Sequence, residues 1–116
     1  MEHKPNVIVD KTFEFSKRII TLYVNLKEDK IFELASQLFR CGTSIGANVE
    51  EAQAAQSKKD FISKMSISAK EARETRYWLR LLSETEITQL DVKYELKEIE
   101  EIINILTKIV KTSSGK

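Results

Sequence analysis

Histidine occurs once in this 116-residue chain, at His3, in a terminal segment expected to be mobile. Imidazole acid–base chemistry and histidine-activated nucleophiles therefore have no footing. The same scarcity removes the Glu-x-x-His pairs with which ferritin-like helical bundles hold iron. Cysteine is also single, as Cys41, which excludes an intramolecular disulfide or a cysteine-based metal knuckle and fits a reducing cytoplasm. Proline is limited to Pro5 and glycine to Gly42, Gly46 and Gly115, too little punctuation for the many turns of a β-sandwich or barrel. No apolar run approaches the roughly 18 residues of a membrane span, and the opening MEHKPNVIVDKTFEF lacks the apolar centre of a signal peptide, so a soluble chain without membrane association is expected. Charge of one sign is missing as well: 19 basic residues against 18 acidic give +1, without the strong field of a dedicated nucleic-acid binder.

What is present is helical periodicity, in a chain sized for a single domain, 1–116, with short flexible termini of about 1–9 and 112–116. The first helix is expected from Asp10, which can cap it, to Lys27, with Phe13, Ser16, Ile20, Tyr23 and Val24 forming its partner-facing stripe. A second helix follows the charged break at Lys27-Glu28-Asp29-Lys30 and runs to about Ala55, with Phe32, Ala35, Leu38 and Phe39 inside. Its centre, Arg40 to Asn48, contains two glycines that each cost roughly 1 kcal/mol against Ala, so it is helical only where packing requires small residues.

Ser57 followed by Asp60 resembles a capping box and starts the third helix near Lys58. That helix runs to about Glu84, with Phe61, Met65, Ser68, Ala72, Thr75, Leu79 and Leu82 as a heptad seam. Ser63, Ser66, Ala69 and Ala72 thin its centre, and this zone is expected to face the glycine zone of the second helix. The fourth helix, from after Asp91 to about Thr112, carries Val92, Leu96, Ile99, Ile103, Leu106 and Val110 in heptad register. Ile102, Ile105 and Ile109 add a second stripe beyond what one neighbour covers, part of it meeting another helix of the bundle or another subunit, and with Trp78 they are the candidate subunit interface. Short connections make the expected fold all-α, an antiparallel up-down-up-down four-helix bundle.

Three side-chain groups could carry chemistry. Glu71 with Glu74, and Glu98 with Glu101, have the i, i+3 spacing that could gather magnesium between two helices, as in all-helical nucleotide pyrophosphohydrolases. Lys70, Arg73 and Arg76 stand beside Glu71 and Glu74, so ion pairing outranks metal binding there, while Glu98 and Glu101, amid Lys97, Glu100 and Lys108, read as a solvated charged face; no catalytic, cofactor or metal residue is assigned. Lys70, Arg73, Arg76, Tyr77 and Arg80 recur at three- and four-residue steps as a basic strip along which a phosphate backbone could lie. Glu71, Glu74 and Glu84 are interleaved with it, which favours a neutralised or subunit-bridging face over nucleic acid. Ser44 and Asn48, four apart, can share hydrogen bonds, and Arg40 can join them through Glu74 or Glu51 as a structural polar motif.

The run Arg40-Cys41-Gly42-Thr43-Ser44-Ile45-Gly46-Ala47-Asn48-Val49-Glu50-Glu51-Ala52 resembles the bacterial four-helix bundle family named for reading frames inside intervening sequences of large-subunit ribosomal RNA genes. A second match runs from Ser57-Lys58-Lys59-Asp60-Phe61-Ile62 through Lys70-Glu71-Ala72-Arg73-Glu74-Thr75-Arg76-Tyr77-Trp78-Leu79. The resemblance implies an antiparallel bundle assembled as a ring-like homopentamer. It also implies similarity to the accessory variability determinant of diversity-generating retroelements, a basic pentamer that associates with a reverse transcriptase and nucleic acid. The first functional expectation is a non-catalytic, self-associating interaction or scaffold protein whose partners are itself and another protein chain. The alternative is a nucleic-acid-binding accessory protein, and a metal-dependent nucleotide hydrolase comes third.

Overall fold

The computed structural model describes residues 6–115, which form α1 (Val7–Glu28), α2 (Phe32–Gln53), α3 (Lys58–Glu84) and α4 (Lys93–Ser113), with no strand among the described residues. His3 lies outside the described residues.

Cross-helix contacts run in opposite order along each neighbouring pair. Asn6 meets Gln53 while Tyr23 meets Phe39, Arg40 meets Glu74 while Glu51 meets Lys64, and Arg73 meets Thr107 while Arg76 meets Glu100. The chain is therefore an up-down-up-down bundle of antiparallel neighbours. The seams between α1 and α2, α2 and α3, and α3 and α4 are extensive, whereas α1 and α4 touch sparsely where the bundle closes. One core fills the centre, with Phe15, Ile19 and Leu26 of α1 meeting Leu38 and Ile45 of α2, Met65 and Leu79 of α3, and Ile99, Ile102 and Leu106 of α4. Each such side chain contributes roughly 1.5–3 kcal/mol on leaving water.

Local chemistry sets the helix ends. Asn6, not Asp10, caps α1: its backbone is extended and its side-chain oxygen accepts from Val9 N–H at 3.3 Å, so the helix includes Val7 to Val9. Asp10 instead sits in the first turn, where a carboxylate favours the positive end of the helix dipole. At the other end Ile31 N–H reaches Leu26 C=O and Lys30 N–H reaches Lys27 C=O, with Lys30 at φ +65°. This paired closure is the Schellman arrangement, and Lys30 holds the left-handed position that glycine usually takes. Ser57 accepts from Asp60 N–H at 3.0 Å while the Asp60 carboxylate accepts from Gln56 N–H at 3.3 Å, so the expected cap forms one residue wider than a standard box. α4 continues through Ser113, past the expected start of a frayed tail, and Gly115 N–H closes it on Thr112 C=O at 3.1 Å.

Three expectations about packing are corrected, the first being that Phe32 and Phe39 of α2 lie inside with Ala35 and Leu38: the latter two are buried, while Phe32 and Phe39 are exposed. The core face of α1 is Ile8, Thr12, Phe15, Ile19, Leu22 and Leu26, while Phe13, Ile20 and Val24 point away from the bundle. Both sets return at helical spacing, and only the neighbouring helices decide between them. The glycines of α2 face α1 instead of α3: a Cβ on Gly42 would lie 2.9 Å from Ile19 carbons, and one on Gly46 would lie 3.2 Å from Ser16 Oγ and the Thr12 carbonyl oxygen. Of the small residues of α3, Ser63 and Ser66 are exposed and Ser66 and Ala69 border the groove toward α4, so that zone does not face α2 as a whole; it is the buried Ser68 hydroxyl that donates to Ile45 C=O of α2, at 2.8 Å. Small residues on two different faces of the α2 neighbourhood thus admit α1 on one side and α3 on the other.

Candidate functional site

The four helices leave three polar assemblies on the bundle surface. On the α2–α3 face, Arg40 donates to Glu74 Oε2 at 2.5 Å and to Glu71 Oε1 at 3.5 Å, and the Trp78 indole N–H donates to the same Glu74 oxygen at 3.1 Å. Glu74 therefore ties α2 to α3 and fixes the indole, whose ring meets Tyr77 edge-on at 5.2 Å. One turn further along α2, the Asn48 amide donates to Ser44 C=O at 2.9 Å and to Ser44 Oγ at 3.1 Å, a local bond within the helix. Glu51 does not join this group: it pairs with Lys64 at 3.2 Å, because three turns of α2 separate it from Arg40. The sequence motif Arg40, Ser44, Asn48, Glu51, Glu74 thus divides into an interhelical clamp, a local hydrogen bond and a separate surface pair.

The basic strip lies toward α4. Arg76 pairs with Glu100 through both carboxylate oxygens at 3.1 Å, and Arg80 reaches Glu84 at 3.5 Å. Arg73 donates to the Thr107 hydroxyl at 3.2 Å, and Lys70 is exposed. The sequence placed Glu71 and Glu74 among the neutralising partners of this strip, but both turn to Arg40. The acid facing Arg76 comes from α4, a partner that spacing along α3 alone cannot indicate.

On the α1–α4 face, Lys11 sits between Glu98 at 2.8 Å and Glu101 at 2.7 Å. The hydrogen bonds that Lys11 donates to these carboxylates, Glu101 foremost, hold its ammonium above its ordinary pKa, and Lys11 in turn holds Glu101 below the usual carboxylate range. The two carboxylate pairs considered for magnesium consequently close around different cations on different seams. No group of three or more His, Cys, Asp or Glu among the described residues is arranged to hold a metal ion. Cys41 is buried, and burial pushes its thiol up, partly opposed by a hydrogen bond with Thr75, so thiolate chemistry is disfavoured there.

The expected subunit interface is redistributed. Ile102 is fully buried inside the bundle and belongs to the core, because α4 turns it between α1 and α3. Ile105 and Ile109 are half-buried and border a shallow groove with Lys108 and Thr112. Trp78 is half-buried beside Phe32 and Leu34. The apolar surface that sequence reasoning missed is on α1: Phe13, Ile20 and Val24 are 57%, 44% and 48% exposed. Close by, Tyr23 meets Phe39 in a tilted pair, ring centroids 4.7 Å and planes 51° apart, and Phe39 is itself exposed. The signal that could have revealed this is the completeness of the other stripe, since Ile8 through Leu26 runs the whole helix without a charge.

Fold and surface together define a small all-helical bundle with ion-paired seams and an uncovered apolar stripe. No helix of the described residues is long and apolar enough to cross a membrane. Residues 4–108 match the model of the 23S rRNA-intervening sequence protein family, and the chain belongs to that family. It is similar to a crystal structure of a protein with unknown function from the S23 ribosomal protein family of Bacteroides thetaiotaomicron, with 48% identity and a TM-score of 0.85 over 91% of this chain and 96% of that one. Comparison with curated proteins gives no match.

Proposed function

We propose that this chain is a non-catalytic scaffold whose working form is a homo-oligomer, a ring of five copies, joined through the outer face of α1. The observation that carries this reading is the seam Phe13, Ile20 and Val24, three large apolar side chains about half exposed at spacings of seven and four on the side of α1 opposite the core. Large apolar residues aligned in this way form a coiled-coil-like knob pattern, and contiguous apolar patches on a small surface mark contact sites. Lys17 lies over the Phe13 ring at 5.6 Å and Lys27 over Tyr23 at 5.1 Å, so the rim of the patch is basic while its centre is apolar, as at a protein interface. Light scattering at micromolar concentration is expected to give one species of five times the 13.4 kDa chain mass. Ile20→Glu is expected to give a folded monomer with unchanged helical circular dichroism. A monomeric parent rejects self-association; a discrete dimer or tetramer rejects the ring.

A second reading, binding of a nucleic-acid backbone, draws on Arg73 and Lys111. They border one shallow groove between α3 and α4 with Ser66 and Thr107, and no carboxylate lines it. Two cations per chain are a small electrostatic footprint. Fluorescence anisotropy with single-stranded RNA is therefore expected to show binding that is negligible at physiological salt. Tight binding that falls steeply with salt and vanishes in Arg73→Glu would put this reading first.

A further inference from the structure

The sparse α1–α4 seam is clasped at one end by Lys11 and opens at the other into a cleft of about 250 Å³. Its apolar wall is Leu22 and Leu90, and its polar wall includes Thr21, Asn25, Asp91 and Glu95. Glu95 is 7% exposed, the one buried carboxylate among the described residues. Its Oε2 accepts a hydrogen bond from Arg18 Nε at 3.3 Å and is ion-paired with Arg18 Nη2 at 3.2 Å. Its Oε1 is buried and has no hydrogen-bond partner. Arg18 cannot readily serve that second oxygen, because its guanidinium is stacked 3.9 Å over the Tyr94 ring and both donors already converge on Oε2. A buried carboxylate oxygen without a donor is costly, and the cheapest remedy is a donor brought in from outside.

We propose that this cleft binds a small aliphatic ammonium, with N–H⁺ donated to Glu95 Oε1 and the carbon chain laid against Leu22 and Leu90. The charge favours a cation: Asp91 and Glu95 contribute two negative charges against the single positive charge of Arg18. Asp91 uses Oδ1 to accept from Lys93 N–H at 2.9 Å, leaving its second oxygen for the far end of a diamine. Glu95 Oε1 is sealed from bulk solvent, so entry requires α1 and α4 to part slightly, which their sparse contact permits.

Putrescine and butylamine, titrated into the isotopically labelled full chain and followed by amide chemical shifts, test this directly, with butanediol as the uncharged control. The expected result is saturable perturbation of residues 18–25 and 90–95 by both amines and none by butanediol. Glu95→Gln is expected to weaken binding by roughly tenfold or more, the loss of a charge-assisted hydrogen bond. Should that variant loosen α4, Asn25→Asp supplies an independent arm, since an added carboxylate on the cleft wall tightens amine binding. Equal response to butanediol, shifts that never saturate or spread over the acidic surface, or unchanged affinity in Asn25→Asp would each overturn the proposal.

Discussion

Ile19 fills the space that a methyl group on Gly42 would need, and this single contact shows why the family-like run at Arg40 to Asn48 tolerates glycine inside a helix. Ala at position 42 gains roughly 1 kcal/mol of helix propensity, but overpacking against a buried β-branched side chain costs about 1–3 kcal/mol. Gly42→Ala is therefore expected to lower the urea midpoint, and Ile19→Val in the same chain to recover part of the loss, a coupling that a double-mutant cycle reads. Lys30 presents the opposite case. Its φ of +65° costs about 1–2 kcal/mol for an L side chain, so Lys30→Gly is expected to raise stability by roughly 1 kcal/mol, visible as a higher midpoint with unchanged slope. The Lys11 clasp gives a pH signature. Glu101 is held below the usual value, so its contribution is present above the unfolded carboxylate pKa and lost as pH falls through the lower folded one. Lys11 is held above 10.5, so its contribution is complete below that value and lost as pH rises through the folded pKa. Denaturation midpoints of Lys11→Met measured from acid to alkaline pH should lack both limbs of this dependence; a profile parallel to the parent's would show the clasp to be without effect.

At the scale of the helix, legibility depended on how many apolar stripes each segment carried. α3 has one, and Met65, Ser68, Ala72, Thr75, Leu79 and Leu82 are all buried as the heptad required. α1 carries two, Ile8 to Leu26 and Phe13 to Val24, and periodicity cannot say which faces inward. In α4 the reverse ambiguity arises, since the second stripe could meet another helix of the bundle or another subunit, and Ile102 of that stripe packs in the core beside Ile103 and Leu106. The residue types of the candidate polar site were legible and their partners were not. Arg40 to Glu74 was among the pairs considered, while Arg76 to Glu100 and Lys11 to Glu98 cross between helices distant in sequence. Substitutions separate the two roles of α4. Ile102→Ala is expected to cost about 2–5 kcal/mol as a core cavity. Ile109→Ala, at a half-buried position, is expected to cost clearly less, and comparable losses would place Ile109 in a buried interface.

The whole molecule inherits an asymmetry from its closure. α2 and α3 each pack along most of their length against two neighbours, whereas α4 has an extensive seam only with α3 and meets α1 sparsely. The ion pairs between α4 and α1 among the described residues form two groups, Lys11 with Glu98 and Glu101, and Arg18 with Glu95. Ion pairs hold helices less firmly than buried apolar area, since partly solvated pairs are commonly worth below about 1 kcal/mol each and a more deeply buried one gives back much of its attraction as desolvation. The bundle should accordingly open first along the α1–α4 seam, with α4 leaving α3 at a lower free energy than α2 leaves α3. Native-state hydrogen exchange on the Ile20→Glu variant, expected to be monomeric, isolates this property from any protection given by neighbouring copies. Amides of α2 and α3 are expected to exchange only through global unfolding, and those of α4 through a smaller opening that grows when Lys11→Met is added. A single opening free energy shared by all four helices would mean that the α1–α4 seam closes as firmly as the other three, and that neither the clasp nor the cleft beside Glu95 marks a point of yield.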